Sequence, residues 1–121
     1  MNAFGSLLRK LRGKRGLTLR EFCLQNQLDP GNYSRLERGL YPPPQGHEQL
    51  EKYARALKLT EGSDEWLEFF DVAAATRGEI PRDLLTDKEL VEKLPVLFRT
   101  LRRQPVSPEK LDQLAELIRR S

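Results

Sequence analysis

The side chains with the clearest capacity for specific chemistry stand together between Asp29 and Gly39. At helical spacing, Tyr33 and Leu36 fall on one side of this segment, which we expect to face a core. Arg35 can donate two hydrogen bonds from one plane, and a guanine base offers two matching acceptors in the major groove of DNA. The outward and leading faces of the segment carry Pro30, Gly31, Asn32, Ser34, Arg35 and Arg38.

Patterns that support catalysis or metal binding do not stand out in the sequence. There is no glycine-rich phosphate loop and no His-Glu-x-x-His segment. Cys23 and His47 lie 24 positions apart, which is not the spacing of a metal site. Cys23 suits a core position where helices cross, and a redox switch would lack a second cysteine. We expect no enzyme activity, no metal and no cofactor.

Charge is distributed unevenly along the 121 residues, whose net charge is +3. Residues 1–45 carry a net charge of +5, and residues 46–121 carry −2. A basic first third favours a polyanionic partner, but a solvated basic face without a partner explains the charge equally well. The chain has no apolar run of membrane-spanning length and no secretory signal pattern. With a single cysteine, these features predict a protein of the reducing cytoplasm that does not insert into membranes.

Helix periodicity and capping residues predict an all-α fold. Apolar residues at 3.6-residue spacing indicate a first helix over Ala3–Lys14. Thr18 and Glu21 form a capping box for a second helix, and Asp29 with Pro30 begins a third that ends at Gly39. Further helices are predicted over residues 47–57, 64–76, 88–103 with an interruption at Pro95, and from Pro108 onward.

From about Leu7 to Leu59 the sequence resembles the Cro and lambda-repressor-like (XRE) helix-turn-helix family. The resemblance lies in Gly-Leu-Thr-Leu-Arg-Glu-Phe at 16–22, in Tyr-Ser-Arg-Leu-Glu-Arg-Gly at 33–39, and in the proline-bearing loop and helix that follow. It implies a lambda-repressor-like helix-turn-helix bundle with a C-terminal helical extension, and binding of double-stranded DNA. Three positions depart from the family pattern: the turn residue Gln27 replaces glycine, Asn26 replaces an apolar residue, and Cys23 replaces alanine.

The resemblance also implies roles for individual residues. Base reading maps to the start of the third helix and to positions one helical turn later in the same helix. These positions are Gly31, Asn32, Ser34 and Arg35. Phosphate contacts are expected from Lys14, Thr18, Arg20, Arg38 and Tyr41. Arg12 and Glu37 match a pair that forms an internal salt bridge in this family.

We predict a DNA-binding domain over residues 1–60 and a helical extension over residues 61–121. The extension would complete the core, form a dimer or bind a partner. The wide apolar surface of Trp66, Phe69 and Phe70 is either core or a dimer surface, and the last helix offers a second candidate surface. The candidate surface residues of the last helix are Leu114, Leu117 and Ile118.

The expected function is that of a sequence-specific regulator, a repressor that binds an inverted repeat as a homodimer. In the alternative, the chain is an antitoxin or a protease-controlled repressor, with a toxin or metalloprotease as partner.

Overall fold

The computed structural model describes the backbone of residues 2–103 and 107–120, and the side chains of these residues except 110, 114 and 117–120. The described residues form helices and no strand, which confirms the all-α prediction. The helices are α1 Ala3–Lys14, α2 Leu19–Asn26, α3 Pro30–Glu37, α4 His47–Ala56, α5 Asp64–Arg77, α6 Arg82–Leu85, α7 Lys88–Arg103 and α8 Pro108–Arg120.

The first of two compact units ends at Pro81 and contains α1 to α5. In this unit α1 packs against α3 and α5, α2 packs against α3, and α4 packs against α5. The helices bury one continuous apolar core, to which each of the five contributes. Its most enclosed side chains are those of Phe4, Leu8, Phe22, Cys23, Tyr33, Pro43 and Phe69.

Helix α5 contributes to this core. Phe69 is fully buried and its ring lies 5.4 Å from that of Phe4 on α1, while Trp66 is only 7% exposed. Phe70 is half-buried, and its ring stacks on that of His47 at 4.9 Å. Trp66 and Phe69 are therefore core residues, which is the first of the two roles that the sequence allowed for this surface. The compact unit extends past the predicted boundary at residue 60 as far as Pro81, because α5 packs against α1 and α4.

The second unit begins at Arg82 and contains α6, α7 and α8, with α6 packed against α7. The Asp87 carboxylate caps α7 by accepting a hydrogen bond from the Leu90 N–H at 3.2 Å. Helix α7 runs unbroken through Pro95, so the predicted interruption is wrong. A proline removes one backbone N–H, but the apolar spacing of α7 continues in phase on both sides of it, and this favours one helix. The side chains of Leu114, Leu117 and Ile118 lie outside the described part of the structure.

Candidate nucleic-acid interface

The helix pair α2 and α3 begins at well-defined caps. The Thr18 hydroxyl accepts a hydrogen bond from the Glu21 N–H at 3.1 Å, and the Glu21 carboxylate accepts one from the Thr18 N–H at 3.2 Å. This confirms the predicted capping box. The Asp29 carboxylate accepts a hydrogen bond from the Asn32 N–H at 2.9 Å, and Pro30 occupies the first turn of α3. Each helix therefore starts where its sequence signal stands.

The turn between the two helices keeps a left-handed residue although the chain has no glycine there. Gln27 has φ 55° and ψ 43°, a conformation that costs about 1–2 kcal/mol for a residue with a side chain. The Cys23 carbonyl accepts hydrogen bonds from the N–H groups of Gln27 and Leu28, the latter at 2.9 Å. The Asn26 side chain donates to the Phe22 carbonyl at 2.8 Å and so satisfies an acceptor at the end of α2. These bonds explain how the departures from the family pattern are accommodated.

Arg12 and Glu37 form the predicted ion pair, which ties α1 to the end of α3. Arg12 Nε donates to Glu37 Oε2 at 2.8 Å, and Arg12 Nη2 donates to Glu37 Oε1 at 3.0 Å. Arg12 Nη1 also donates to the Leu17 carbonyl at 2.9 Å, which fixes the loop before α2. The hydrogen bond to Glu37 raises the pKa of Arg12. Burial raises the pKa of the Tyr33 phenol, and the charge of Glu37 adds to this shift.

The four predicted base-reading residues lie along α3, and the structure places most of their surface outward. Gly31, Asn32 and Arg35 are exposed, and Ser34 is half-buried. Tyr33 and Leu36 on the opposite side are buried in the core, as helical phase predicts. An α-helix fits into the major groove of DNA, which is about 12 Å wide. The exposed face of α3 has the form and the donor groups for that position.

Arg35 has a defined environment on this face. Its guanidinium lies over the Tyr41 ring, 5.8 Å from the ring centre. A β-carbon added at Gly31 would lie 3.3 Å from Arg35 Nη1, so the glycine leaves room for the guanidinium one turn earlier in the helix. The Arg35 carbonyl accepts hydrogen bonds from the N–H groups of Leu40 and Tyr41, at 2.9 and 3.3 Å. The backbone thus brings the Tyr41 ring to the arginine that it contacts.

The residues predicted to contact phosphates are all exposed: Lys14, Thr18, Arg20, Arg38 and Tyr41. Thr18 uses its hydroxyl oxygen as an acceptor in the cap, but its O–H remains a donor that can reach a phosphate. The N–H groups of Leu19 and Arg20 stand in the first turn of α2, where backbone N–H groups have no carbonyl partner within the helix. These amides and the Arg20 side chain offer an anion both hydrogen bonds and positive charge.

Three supporting residues were missed at the level of sequence. Gly5 allows α1 to approach the end of α3, because a β-carbon there would collide with the Leu36 and Glu37 carbonyls. Arg15 Nη1 donates to the Ala56 carbonyl at 2.7 Å, and Arg77 Nη1 donates to the Pro43 carbonyl at 2.6 Å. These contacts join distant parts of the chain, and no local sequence signal announces them.

Comparison with known proteins agrees with this geometry. Residues 3–66 match the model of a family described as a helix-turn-helix domain, which covers more than half of the chain. No curated protein and no solved structure matches the chain. Within residues 2–103 and 107–120, no helix is long and apolar enough to cross a bilayer. The fold and the face of α3 define a DNA-binding protein of the regulator class. The chain belongs to the helix-turn-helix domain family.

Proposed function

We propose that the chain is a sequence-specific transcriptional regulator. It represses by binding an inverted-repeat operator as a two-fold dimer, with one α3 in each of two successive major grooves. The observation that carries the proposal is the exposed, oriented guanidinium of Arg35 on α3. An arginine in this position can donate to both acceptors of a guanine, which is worth about 1–3 kcal/mol of discrimination. The proposal assigns no catalytic step to the chain.

Specificity in this proposal comes from few side chains. Pro30 and Gly31 at the start of α3 supply no side-chain hydrogen bond, so direct reading depends on Arg35, Asn32 and Ser34. Gly31 also permits close approach of the backbone to DNA. We expect the shape and deformability of the operator to contribute at base pairs that the protein does not touch.

The test is selection of bound DNA from a random pool, followed by titration of the selected site and its single-base variants. We expect one half-site motif that contains a guanine, repeated in inverted orientation one helical turn away. Arg35→Ala should bind the wild-type site and the variant at that guanine almost equally. Arg20→Ala, the matched control, should weaken binding to all sequences alike and reduce the dependence on salt. Equal losses on every sequence for Arg35→Ala would refute the assignment of Arg35.

A second candidate function rests on the apolar side chains that the second unit exposes. In this case the chain binds a toxin or a metalloprotease through residues after Pro81 and uses its DNA binding for autoregulation. Co-expression with the product of the neighbouring gene tests it. A stable complex that forms with the full chain, and not with a chain that ends at residue 81, is the expected result for this function.

A further inference from the structure

Helix α7 carries an apolar stripe in which Leu90 and Leu94 are half-buried and the other members are exposed. Four leucines follow one another at intervals of four, three and four residues, and Val91 and Phe98 lie beside them on the same face. Leu97 is 46% exposed, Phe98 42% and Leu101 39%. None of the described side chains in the second unit is buried. We name this stripe the leucine seam; its members are Leu90, Val91, Leu94, Leu97, Phe98 and Leu101.

We propose that the leucine seam packs against the same seam of a second copy of the chain, with the two α7 helices antiparallel across a two-fold axis. The inference rests on the proposed function, because binding to an inverted repeat requires a dimer and this contact supplies it. It adds the location, the direction and the register of the contact.

The spacing of the leucines matches itself when it is reversed. The intervals of four, three and four are symmetric about a point between Pro95 and Val96. An antiparallel two-fold pair therefore places Leu90 beside Leu101 of the second copy, and Leu94 beside Leu97 of the second copy. Alternating intervals of three and four are the repeat by which two helices interlock along a seam. A two-fold interface must be self-complementary in this way.

Charge along α7 selects the antiparallel direction. The first half of the segment, with its capping residue Asp87, has a net charge of −1, and the second half has a net charge of +3 from Arg99, Arg102 and Arg103. A parallel pair would place the two basic halves side by side. An antiparallel pair places each basic half beside an acidic one and also opposes the two helix dipoles.

The charged side chains of α7 and Pro95 lie away from the seam. Glu92, Lys93 and Arg99 fall outside the apolar stripe when the helix is viewed along its axis. Pro95 also lies off the stripe, so its ring occupies no position in the row of leucines. Val96, which is 60% exposed, lies on the side opposite to the seam. Val96 and Leu97 are thus adjacent exposed apolar residues that occupy different faces of the helix.

This difference provides a matched test of oligomeric state on the full chain. Sedimentation equilibrium should give the mass of a dimer for the wild-type chain and for Val96→Asp, and the mass of a monomer for Leu97→Asp. Circular dichroism should show equal helix content for the two variants at a concentration where both are monomeric. A Leu97→Asp chain that stays dimeric overturns the inference and leaves the proposed operator binding intact. A wild-type chain that stays monomeric, free and on DNA, overturns both the inference and the dimeric mode of binding.

Cysteine cross-linking tests direction and register without removing the seam. The native Cys23 is fully buried, so it should not interfere. In the antiparallel pair, position 90 of one copy is about 16 Å along the axis from position 90 of the other, too far for a disulfide. We expect Leu90→Cys and Leu101→Cys to form a disulfide when they are mixed, and neither to form one alone. Disulfides within each separate variant would indicate a parallel pair and contradict the proposal.

DNA binding gives an independent readout. Leu97→Asp should keep the base preferences of the wild-type chain on a single half-site, because α7 lies outside the first unit. On the inverted repeat it should lose at least about tenfold in affinity, since the second half-site no longer gains from linkage. If the wild-type chain enriches no motif, the proposed function fails, whereas the mass and cross-linking results still decide the inference.

Discussion

At the scale of the residue, a base-reading side chain has to be exposed and yet oriented. Arg35 meets both conditions, since its guanidinium projects from α3 but lies over Tyr41 and beside the open space at Gly31. A flexible arginine loses side-chain entropy when it binds, and an arginine held in place beforehand loses less. The geometry therefore gives Tyr41 a role in positioning Arg35, in contrast to the phosphate contact that sequence resemblance implies.

Tyr41→Leu should weaken discrimination at the guanine that Arg35 reads. The contact between a cation and an aromatic ring at an exposed site is worth about 0.5–1 kcal/mol, which corresponds to about a two- to fivefold change. Titration of the Tyr41→Leu chain against the selected site and its guanine variant measures this ratio. Binding to unrelated DNA, and its dependence on salt, should stay as in the wild-type chain.

Tyr41→Phe is the control, because it keeps the ring and removes only the hydroxyl. It should bind like the wild-type chain on both sequences. If it instead loses affinity equally on all sequences, Tyr41 acts through its hydroxyl on a phosphate, and the positioning role is excluded.

The sequence was sufficient for residues whose partners are close by or belong to the family pattern. The caps at Thr18 and Asp29 are local signals, and the Arg12–Glu37 pair follows from the resemblance. The left-handed conformation of Gln27 could not be predicted in this way, because residue type alone argues against it. It is accompanied by hydrogen bonds to the Cys23 and Phe22 carbonyls, which only the structure shows. The contact of Arg35 with Tyr41 depends on the path of the chain after Gly39, which residue types alone do not specify.

At the scale of the element, the presentation of α3 depends on how closely α1 approaches it. Gly5 lies in the first turns of α1, against the Leu36 and Glu37 carbonyls at the end of α3. The Arg12–Glu37 pair joins the same two helices from the other end of α1. The close approach at Gly5 and this ion pair therefore both hold α3 against α1. Breaking a buried ion pair usually costs several kcal/mol of stability.

We expect Gly5→Ala to destabilise the first unit by about 2 kcal/mol. Alanine favours helix by about 1 kcal/mol over glycine, but here its β-carbon meets backbone atoms, which cannot rotate away as a side chain can. Urea unfolding followed by the fluorescence of Trp66, the only tryptophan, measures the free energy of unfolding.

Gly13→Ala in the same helix is the matched control. A β-carbon at Gly13 meets no atom within 4 Å, so only the gain in helix propensity remains. This variant should be more stable than the wild-type chain by about 0.5–1 kcal/mol. Equal stabilisation by both substitutions would show that α1 does not approach α3 closely at Gly5.

Element type was predictable for α1 to α5, whereas the short helix α6 was not predicted and α7 was expected to break at Pro95. The environment of each element was not predictable. The periodicity of α5 indicates a helix with a wide apolar surface, but only tertiary contacts decide whether that surface is core or interface. Phe4, Trp66 and Phe69 are far apart in sequence and meet in the core. Pro95 illustrates the reverse case, in which a strong local signal against helix is overridden by the pattern on both sides.

At the scale of the whole molecule, the chain consists of a DNA-binding unit that ends at Pro81 and a second unit that exposes its apolar side chains. The family match ends at residue 66, within α5, although that helix continues to Arg77. The physical unit is therefore longer than the matched segment. Its last helix supplies Trp66, Phe69 and Ala73 to the core that also holds Phe4.

This boundary predicts the behaviour of two shortened chains. A chain of residues 1–81 should fold cooperatively and bind a single half-site, whereas a chain of residues 1–60 should be largely unfolded. Burial of a large apolar side chain contributes about 1.5–3 kcal/mol, so loss of Trp66 and Phe69 removes about 3–6 kcal/mol. Domains of this size have a total stability of about 4–12 kcal/mol, and the shorter chain would also expose the Phe4 side of α1 to water.

Thermal unfolding followed by circular dichroism compares the two chains without relying on Trp66, which the shorter chain lacks. Urea unfolding of the 1–81 chain and the full chain should give nearly equal midpoints for the first unit, because the core of that unit ends before Arg82. The 1–81 chain should also be monomeric, since it has lost the leucine seam. A cooperative transition in the 1–60 chain at the same temperature as in the 1–81 chain would show that α5 does not hold the core together, and the boundary would then return to residue 60.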